Sequence, residues 1–226
     1  MERLLKEKDV QYIKDLFEKK LEGEVTLTLF TETKGSNVTK FNEQYLPYTE
    51  EIVREVAELS PKIKMNIYTD DFEKEKEYNI KTVSALFIEG SKTNKNIVYY
   101  GIPSGHEFSS LLEDIIDVSK GKTELPENIK GKVEKISSSI EILVFVTPTC
   151  PYCPRAVRTA HQFALENSNI KGIMVEANEF PEWSEKYNVY AVPKVVINEG
   201  KGEFEGALPE DAFLEAIYDA IGIKLI

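Results

Sequence analysis

Apolar residues are distributed along this chain in a pattern that occurs twice. Residues 142–146 (ILVFV) form a continuous apolar run of strand type, and residues 25–30 (VTLTLF) form a β-rich run with alternating Thr. Each run leads through a turn-like stretch into a helical pattern. Further along, YNIKTVSALFI (Tyr78 to Ile88) reappears as YNVYAVPKVVI (Tyr187 to Ile197), with Tyr, Asn and Val identical at a constant offset of 109 residues. Gly101 with Phe108, Leu112 and Ile116 then matches Gly206 with Phe213, Ile217 and Ile221 at an offset of 105. Three matches in the same order indicate a tandem duplication.

The periodicity predicts the same elements in both copies. In the first, strands cover 24–30 and 62–68, with a helix over 38–59 between them. A short helix at 71–78, strands at 84–89 and 97–100, and a helix over 104–118 follow. In the second, the strands are 140–146, 171–176, 194–198 and 203–206, and the helices 151–167, 180–186 and 209–221. Asn198 to Gly202 (NEGKG) supplies hairpin-turn residues. An amphipathic helix over 2–22, with Leu5, Ile13, Leu16 and Phe17 on one face, precedes the first copy and ends at Gly23. A helix over 128–136 echoes it before the second. The expected fold class is α/β: two tandem units, each a mixed β-sheet flanked by helices. The expected domains are 1–121 and 122–226.

Composition narrows the chemistry. The chain has 226 residues, 42% of them hydrophobic, and a formal charge of −11. That acidity argues against nucleic acid or an anionic membrane as a partner. The N-terminus has no signal-type apolar stretch, and the longest apolar runs fall far short of the ~20 residues needed to span a bilayer. A soluble, cytoplasmic protein is expected. There are only two cysteines, Cys150 and Cys153, and two histidines, His106 and His161. A disulfide-stapled scaffold, a four-cysteine metal centre within one chain and a His-rich metal site are excluded. No metal site is expected.

Cys150-Pro151-Tyr152-Cys153 lies between a predicted strand and a predicted helix. That places Cys150 at or next to the helix N-cap, where free N–H groups and the positive helix end stabilise a thiolate. Pro151 suits the first helical turn, and Cys153 falls within that turn. The pattern fits a dithiol in which Cys150 attacks a substrate disulfide and Cys153 resolves the mixed disulfide. Half of a zinc or cluster site shared between two chains, and a structural disulfide, are the competing readings. His161 lies on the order of 16 Å from Cys150 along the same helix, so it is no base for that thiol and reads as a surface or packing residue. His106 has no evident role. Arg155 and Arg158 either favour the thiolate or are solvated helix charges. Glu176, at the end of the strand GIMVEA, is either a proton relay for Cys153 or a strand-end surface acid.

The order strand, CPYC, helix, followed by Ala191-Val192-Pro193 heading a strand, resembles the thioredoxin fold. In that fold the matching proline is cis and lies against the dithiol. The resemblance therefore implies that Val192 and Pro193 support the site together with Pro151 and Tyr152. The strings FVTPTCPYCP, FPEW, YNVYAVPK, FEGA and GIPSGHEF, with the tandem layout, are similar to the protein disulfide oxidoreductases of thermophilic archaea and bacteria, also called glutaredoxin-like proteins. That family implies oxidation, reduction and isomerisation of protein disulfides, with client proteins as substrates and a thioredoxin reductase as electron donor. The cysteine pair carries the electrons, so no organic cofactor is implied.

Many members carry a CxxC in both units. Here the matching stretch of the first unit is Thr33 to Thr39, and the lost pair maps to Ser36/Thr39 or Gly35/Val38. Ser84 stands opposite Pro193. The first unit is expected to be redox-inactive, serving as a docking module or a scaffold. Paired units with one dithiol also resemble the N-terminal part of bacterial alkyl-hydroperoxide reductase flavoproteins, which makes an electron shuttle to a peroxiredoxin-type partner the first alternative. A glutathione- or iron–sulfur-binding glutaredoxin type and a non-enzymatic binding protein are the others.

Overall fold

The computed structural model describes residues 3–32, 40–93 and 95–223. Nine α-helices and eight strands occur among them, in the order α1 (Glu7–Lys20), β1 (Val25–Glu32), α2 (Lys40–Glu43), α3 (Leu46–Ala57), β2 (Ile63–Thr69), α4 (Phe72–Tyr78), β3 (Ala85–Glu89), β4 (Ile97–Tyr100), α5 (Glu107–Lys120), α6 (Glu127–Val133), β5 (Ile140–Val146), α7 (Cys153–Glu166), β6 (Ile170–Glu176), α8 (Pro181–Lys186), β7 (Lys194–Ile197), β8 (Gly202–Glu205) and α9 (Glu210–Ala220). The β-α-β-α-β-β-α order recurs in the two halves, as the duplicated pattern predicts.

All eight strands belong to one sheet, in the order β2-β1-β3-β4-β6-β5-β7-β8. Within each half two strands run parallel and a hairpin adds antiparallel partners. The halves meet through β4 and β6, which pair in parallel from Ile97 opposite Gly172 to Tyr100 opposite Val175. Burial follows position in the sheet. All four residues of β4 are buried, whereas the edge strand β8 alternates between half-buried and exposed. One face of the sheet carries the longer helices over a core that includes Phe17, Leu29, Val144 and Phe163. The other carries the short α4 and α8 over Phe30, Phe87, Phe145 and Val175.

Three expected helices differ most: the one expected over 2–22 spans only Glu7–Lys20 and leaves Leu5 before it, and two others change as follows. The long helix over 38–59 is two helices, α2 and α3, with Tyr45 between them at φ −94°, ψ −20°. Pro47 sits in the first turn of α3, where it has no N–H to continue the preceding helix. The helix predicted from 151 starts at Cys153, because Pro154 and not Pro151 occupies the first turn. At the hairpin, Asn198 and Glu199 adopt φ of 47° and 59°, and Asn198 Oδ1 accepts the Glu141 N–H at 2.8 Å. The stretch Thr33 to Thr39, where the first unit's counterpart of CPYC falls, lies outside the described residues.

Candidate active site

Cys150 and Cys153 form a disulfide at the N-terminal end of α7. The hydrophobic strand β5 delivers the chain to this point, and the Cys150 N–H closes a turn onto Thr147 O at 3.1 Å. Tyr152, not Cys150, holds the N-cap position. Cys150 still performs the capping chemistry, since its Sγ accepts the Cys153 N–H at 3.1 Å. A helix start leaves its first N–H groups without intrahelical partners, and here one of them is aimed at sulfur. In the reduced protein that N–H and the helix dipole favour a Cys150 thiolate. Cys150 is 8% exposed and Cys153 0%, so Cys150 is the more accessible sulfur of the pair. Pro151 and Tyr152 are exposed, and Tyr152 shows 71% of its surface.

The Val192–Pro193 peptide is cis, and Val192 O lies 3.7 Å from Cys150 Sγ. The Gly206 N–H of the following hairpin bonds Pro193 O at 2.8 Å and fixes this segment. CPYC and Pro193, 40 residues apart in the chain, are therefore one site. In the first unit the Val83–Ser84 peptide is also cis, so that backbone turn is present where the proline is not.

The first unit reaches this site directly. Its Gly101-to-Phe108 loop packs on the segment before Cys150: His106 N–H donates to Pro148 O at 3.0 Å. Gly105, at φ +62°, sits so close to Pro148 that a Cβ would collide with Pro148 O, and a side chain there would force the two loops apart. Glu107 follows. It is buried, its Oε2 accepts the Ser110 hydroxyl at 2.9 Å, and Oε1 has no hydrogen-bond partner among the described residues. Burial pushes its carboxyl up to about 7.

Glu176 is buried, not a surface acid. Burial raises its carboxyl, against hydrogen bonds from Glu179 N–H (2.7 Å) and Asn178 Nδ2 (2.8 Å). These bonds lead to the seam between the halves and not to the dithiol. Glu179 completes that cluster. Its carboxylate accepts Ile102 N–H at 2.6 Å and Asn42 Nδ2 at 2.8 Å, both from the first unit, and burial pushes it up to about 7.

The solvated-charge reading of Arg158 is corrected, and of the two readings of His161 the packing one holds. Arg158 is not a solvated helix charge: its guanidinium binds Asp114 and Asp117, and it meets Glu113 at 3.1 Å. His161 is buried, and its Nδ1 meets Asp114 at 2.5 Å. Tyr99 OH donates to the same carboxylate. Burial alone would raise the Asp114 carboxyl; Arg158 and His161 outweigh that and hold it below the usual range. Asp114 is thus the charged acceptor and His161 Nδ1 the donor. Arg155 remains exposed. Sequence reasoning passed over Asp114, Glu107 and Glu179; the one available signal was that acids fall within otherwise apolar patterns.

Glu107 and Glu179 give stability a definite pH dependence. Both titrate near 4.5 in an unfolded chain and near 7 in the fold. Between those values the native state keeps protons that the unfolded state has released, so stability falls as pH rises. The contribution is complete below about 4.5 and gone above about 7, with about 1–3 kcal/mol for each group. The urea midpoint should drop from pH 5 to pH 8, and replacing both residues by Gln should flatten the dependence. A wild-type midpoint equal at both pH values would refute the assignment.

Comparison with known proteins agrees with this geometry. Residues 140–219 match the thioredoxin domain family. The F component of alkyl hydroperoxide reductase from Staphylococcus aureus (strain NCTC 8325 / PS 47) is 28% identical over 148 residues, 66% of this chain and 27% of the relative. The same component from Staphylococcus epidermidis is 29% identical over 79% of this chain and 31% of its own length. The chain therefore spans about a quarter to a third of these curated relatives. Among solved structures, a protein disulfide oxidoreductase from Aeropyrum pernix k1 superposes with a TM-score of 0.83 at 26% identity, covering 98% of this chain and 96% of that one. The alkylhydroperoxide reductase F component of Enterococcus faecalis (V583), a C503A mutant, also gives 0.83 at 26% identity, covering 95% of this chain and 100% of that one. Residues 140–219 thus match the thioredoxin domain family, and over nearly its whole length the chain is similar in fold to a protein disulfide oxidoreductase.

Proposed function

We propose that the chain is a thiol-disulfide oxidoreductase acting on protein disulfides through the Cys150–Cys153 couple. The observation that carries this is the disulfide at the start of α7, with the Cys153 N–H on Cys150 Sγ and the cis Val192–Pro193 backbone against it. In the reduced form the Cys150 thiolate attacks one sulfur of a client disulfide. A Cys150–client bond forms and the other client sulfur leaves as thiolate. Cys153, deprotonated, then attacks Cys150 Sγ, the mixed disulfide breaks, and the client departs with both electrons and two protons. The cysteines carry the electrons, so the step needs no organic cofactor. Reduction is the favoured direction in a cytoplasmic setting, with a thioredoxin-reductase-type donor restoring the dithiol.

A second reading is favoured by the names of the staphylococcal relatives. In it the same couple passes its electrons to a peroxide-reducing partner of peroxiredoxin type, and the client disulfide belongs to that partner.

The test is reduction of insulin by dithiothreitol, followed by turbidity. The wild type should accelerate it, and Cys150→Ser should return the rate to that of dithiothreitol alone. A wild type as inert as that mutant would overturn the proposal. Iron and visible absorbance in anaerobically purified protein would instead identify a cluster-binding glutaredoxin type.

A further inference from the structure

On the dithiol side, the seam between the halves opens into a groove of 490 Å³ whose walls come from both units. Phe41 and Tyr45 of the first unit face Thr147, Tyr190, Ala191 and Val192 of the second. The groove follows the backbone that leads into cis Val192–Pro193, and Val192 O, at its end, lies 3.7 Å from Cys150 Sγ. It is thus continuous with the place where a client disulfide must sit. None of its described lining residues carries a charge, in a chain that is 30% charged. Phe41 is 58% exposed and Tyr190 88%. Large apolar rings left in water at the edge of a reactive site mark a surface that something else covers.

The first-unit wall is anchored. Helix α2 is only four residues long, too short to hold itself in place. Its Asn42 is fully buried and donates to Glu179 of the second unit at 2.8 Å, and Glu179 also accepts Ile102 N–H. A buried carboxylate of the redox-active half thus fastens the segment that presents Phe41 and Tyr45. Burying a carboxyl costs free energy unless its hydrogen bonds are met, and here they are met across the seam.

We propose that this groove seats an extended, uncharged segment of the client polypeptide beside its disulfide, with an apolar side chain packed on Phe41 and Tyr45. The first unit, on the far side of the seam from the dithiol, then selects clients for a reaction carried out by the second. A neutral apolar groove rejects a charged flank through the cost of desolvating it. This inference rests on the oxidoreductase reading above and adds the substrate class to it.

The test uses two disulfide-closed peptides that differ only in the two residues beside one cysteine, Leu-Phe in one and Gly-Ser in the other. The readout is the ratio of their kcat/KM values. A ratio measured on one preparation does not depend on how much of it is folded, so a variant that folds poorly still gives an answer. The wild type should favour the Leu-Phe peptide by about tenfold or more, and Phe41→Ser or Tyr45→Ser should bring the ratio to within about twofold of unity. A wild type that turns over both peptides equally, or variants that keep the wild-type ratio, would overturn the groove and leave the oxidoreductase reading standing. A wild type that reduces neither peptide would overturn both. A dimer that Phe41→Ser converts to monomer would assign the surface to a second copy of the chain and overturn the client groove.

Discussion

Cys153→Ser should stop turnover and leave the protein covalently joined to its client through Cys150. The reason is the unequal access of the two sulfurs. Cys150 stands at the surface of the site, whereas Cys153 has no exposed surface at all, so it reaches a mixed disulfide only from inside, one helical turn away. A serine hydroxyl is not ionised near neutral pH and does not displace a sulfur, so the intermediate persists until an external thiol cleaves it. Mass spectrometry should find the adduct after the mutant is mixed with a disulfide client, and insulin reduction should fall to background. Cys150→Ser should also be inactive but form no adduct, because the remaining thiol is buried. Sustained turnover by Cys153→Ser would mean that one cysteine suffices, which is the behaviour of a glutathione-dependent glutaredoxin and not of this dithiol scheme.

The second large effect concerns the seam. Asp114→Ala should destabilise the chain by about 2–4 kcal/mol, a sizeable part of the 5–15 kcal/mol that usually separates folded from unfolded states. Asp114 of α5 receives hydrogen bonds from Tyr99, Arg158 and His161, the last two on the redox helix α7. Its removal leaves a nearly buried guanidinium and a buried imidazole N–H short of an acceptor. The figure is below the usual 3–5 kcal/mol for breaking a buried pair because Asp117 still faces Arg158. Urea unfolding measures the loss directly. In Asp114→Ala/Arg158→Leu the orphaned charge is gone as well, and part of the stability should return. A single mutant within about 1 kcal/mol of wild type would show that the cluster does not hold the halves together.

Much of the architecture was legible because the chain states it twice. The constant offset between Tyr78–Ile88 and Tyr187–Ile197 placed the hairpins of both units, and strand, CPYC, helix and Pro193 marked the site. What was not legible depends on contacts between residues far apart in the chain. Ile97 to Tyr100 reads IVYY, a run without polar alternation, as suits a strand covered on both faces; nothing local says that its second neighbour is β6. Arg158 and Glu179 look like ordinary surface charges in a linear reading, since their partners lie 41 or more residues away for Arg158 and 77 away for the Glu179–Ile102 pair. The split between α2 and α3 was available from Pro47, whose missing N–H interrupts the hydrogen-bond ladder of a single long helix.

The β4–β6 ladder has a consequence for how the molecule could be shortened. Two tethered domains can usually be separated at the linker, each with its own finished surface. Here a cut near residue 121 would strip β6 of one of its two neighbours. An apolar run of unpaired N–H and C=O groups would face water along Gly172–Val175, the kind of edge that recruits another copy. The half without cysteines therefore covers an edge of the sheet as much as it neighbours the site.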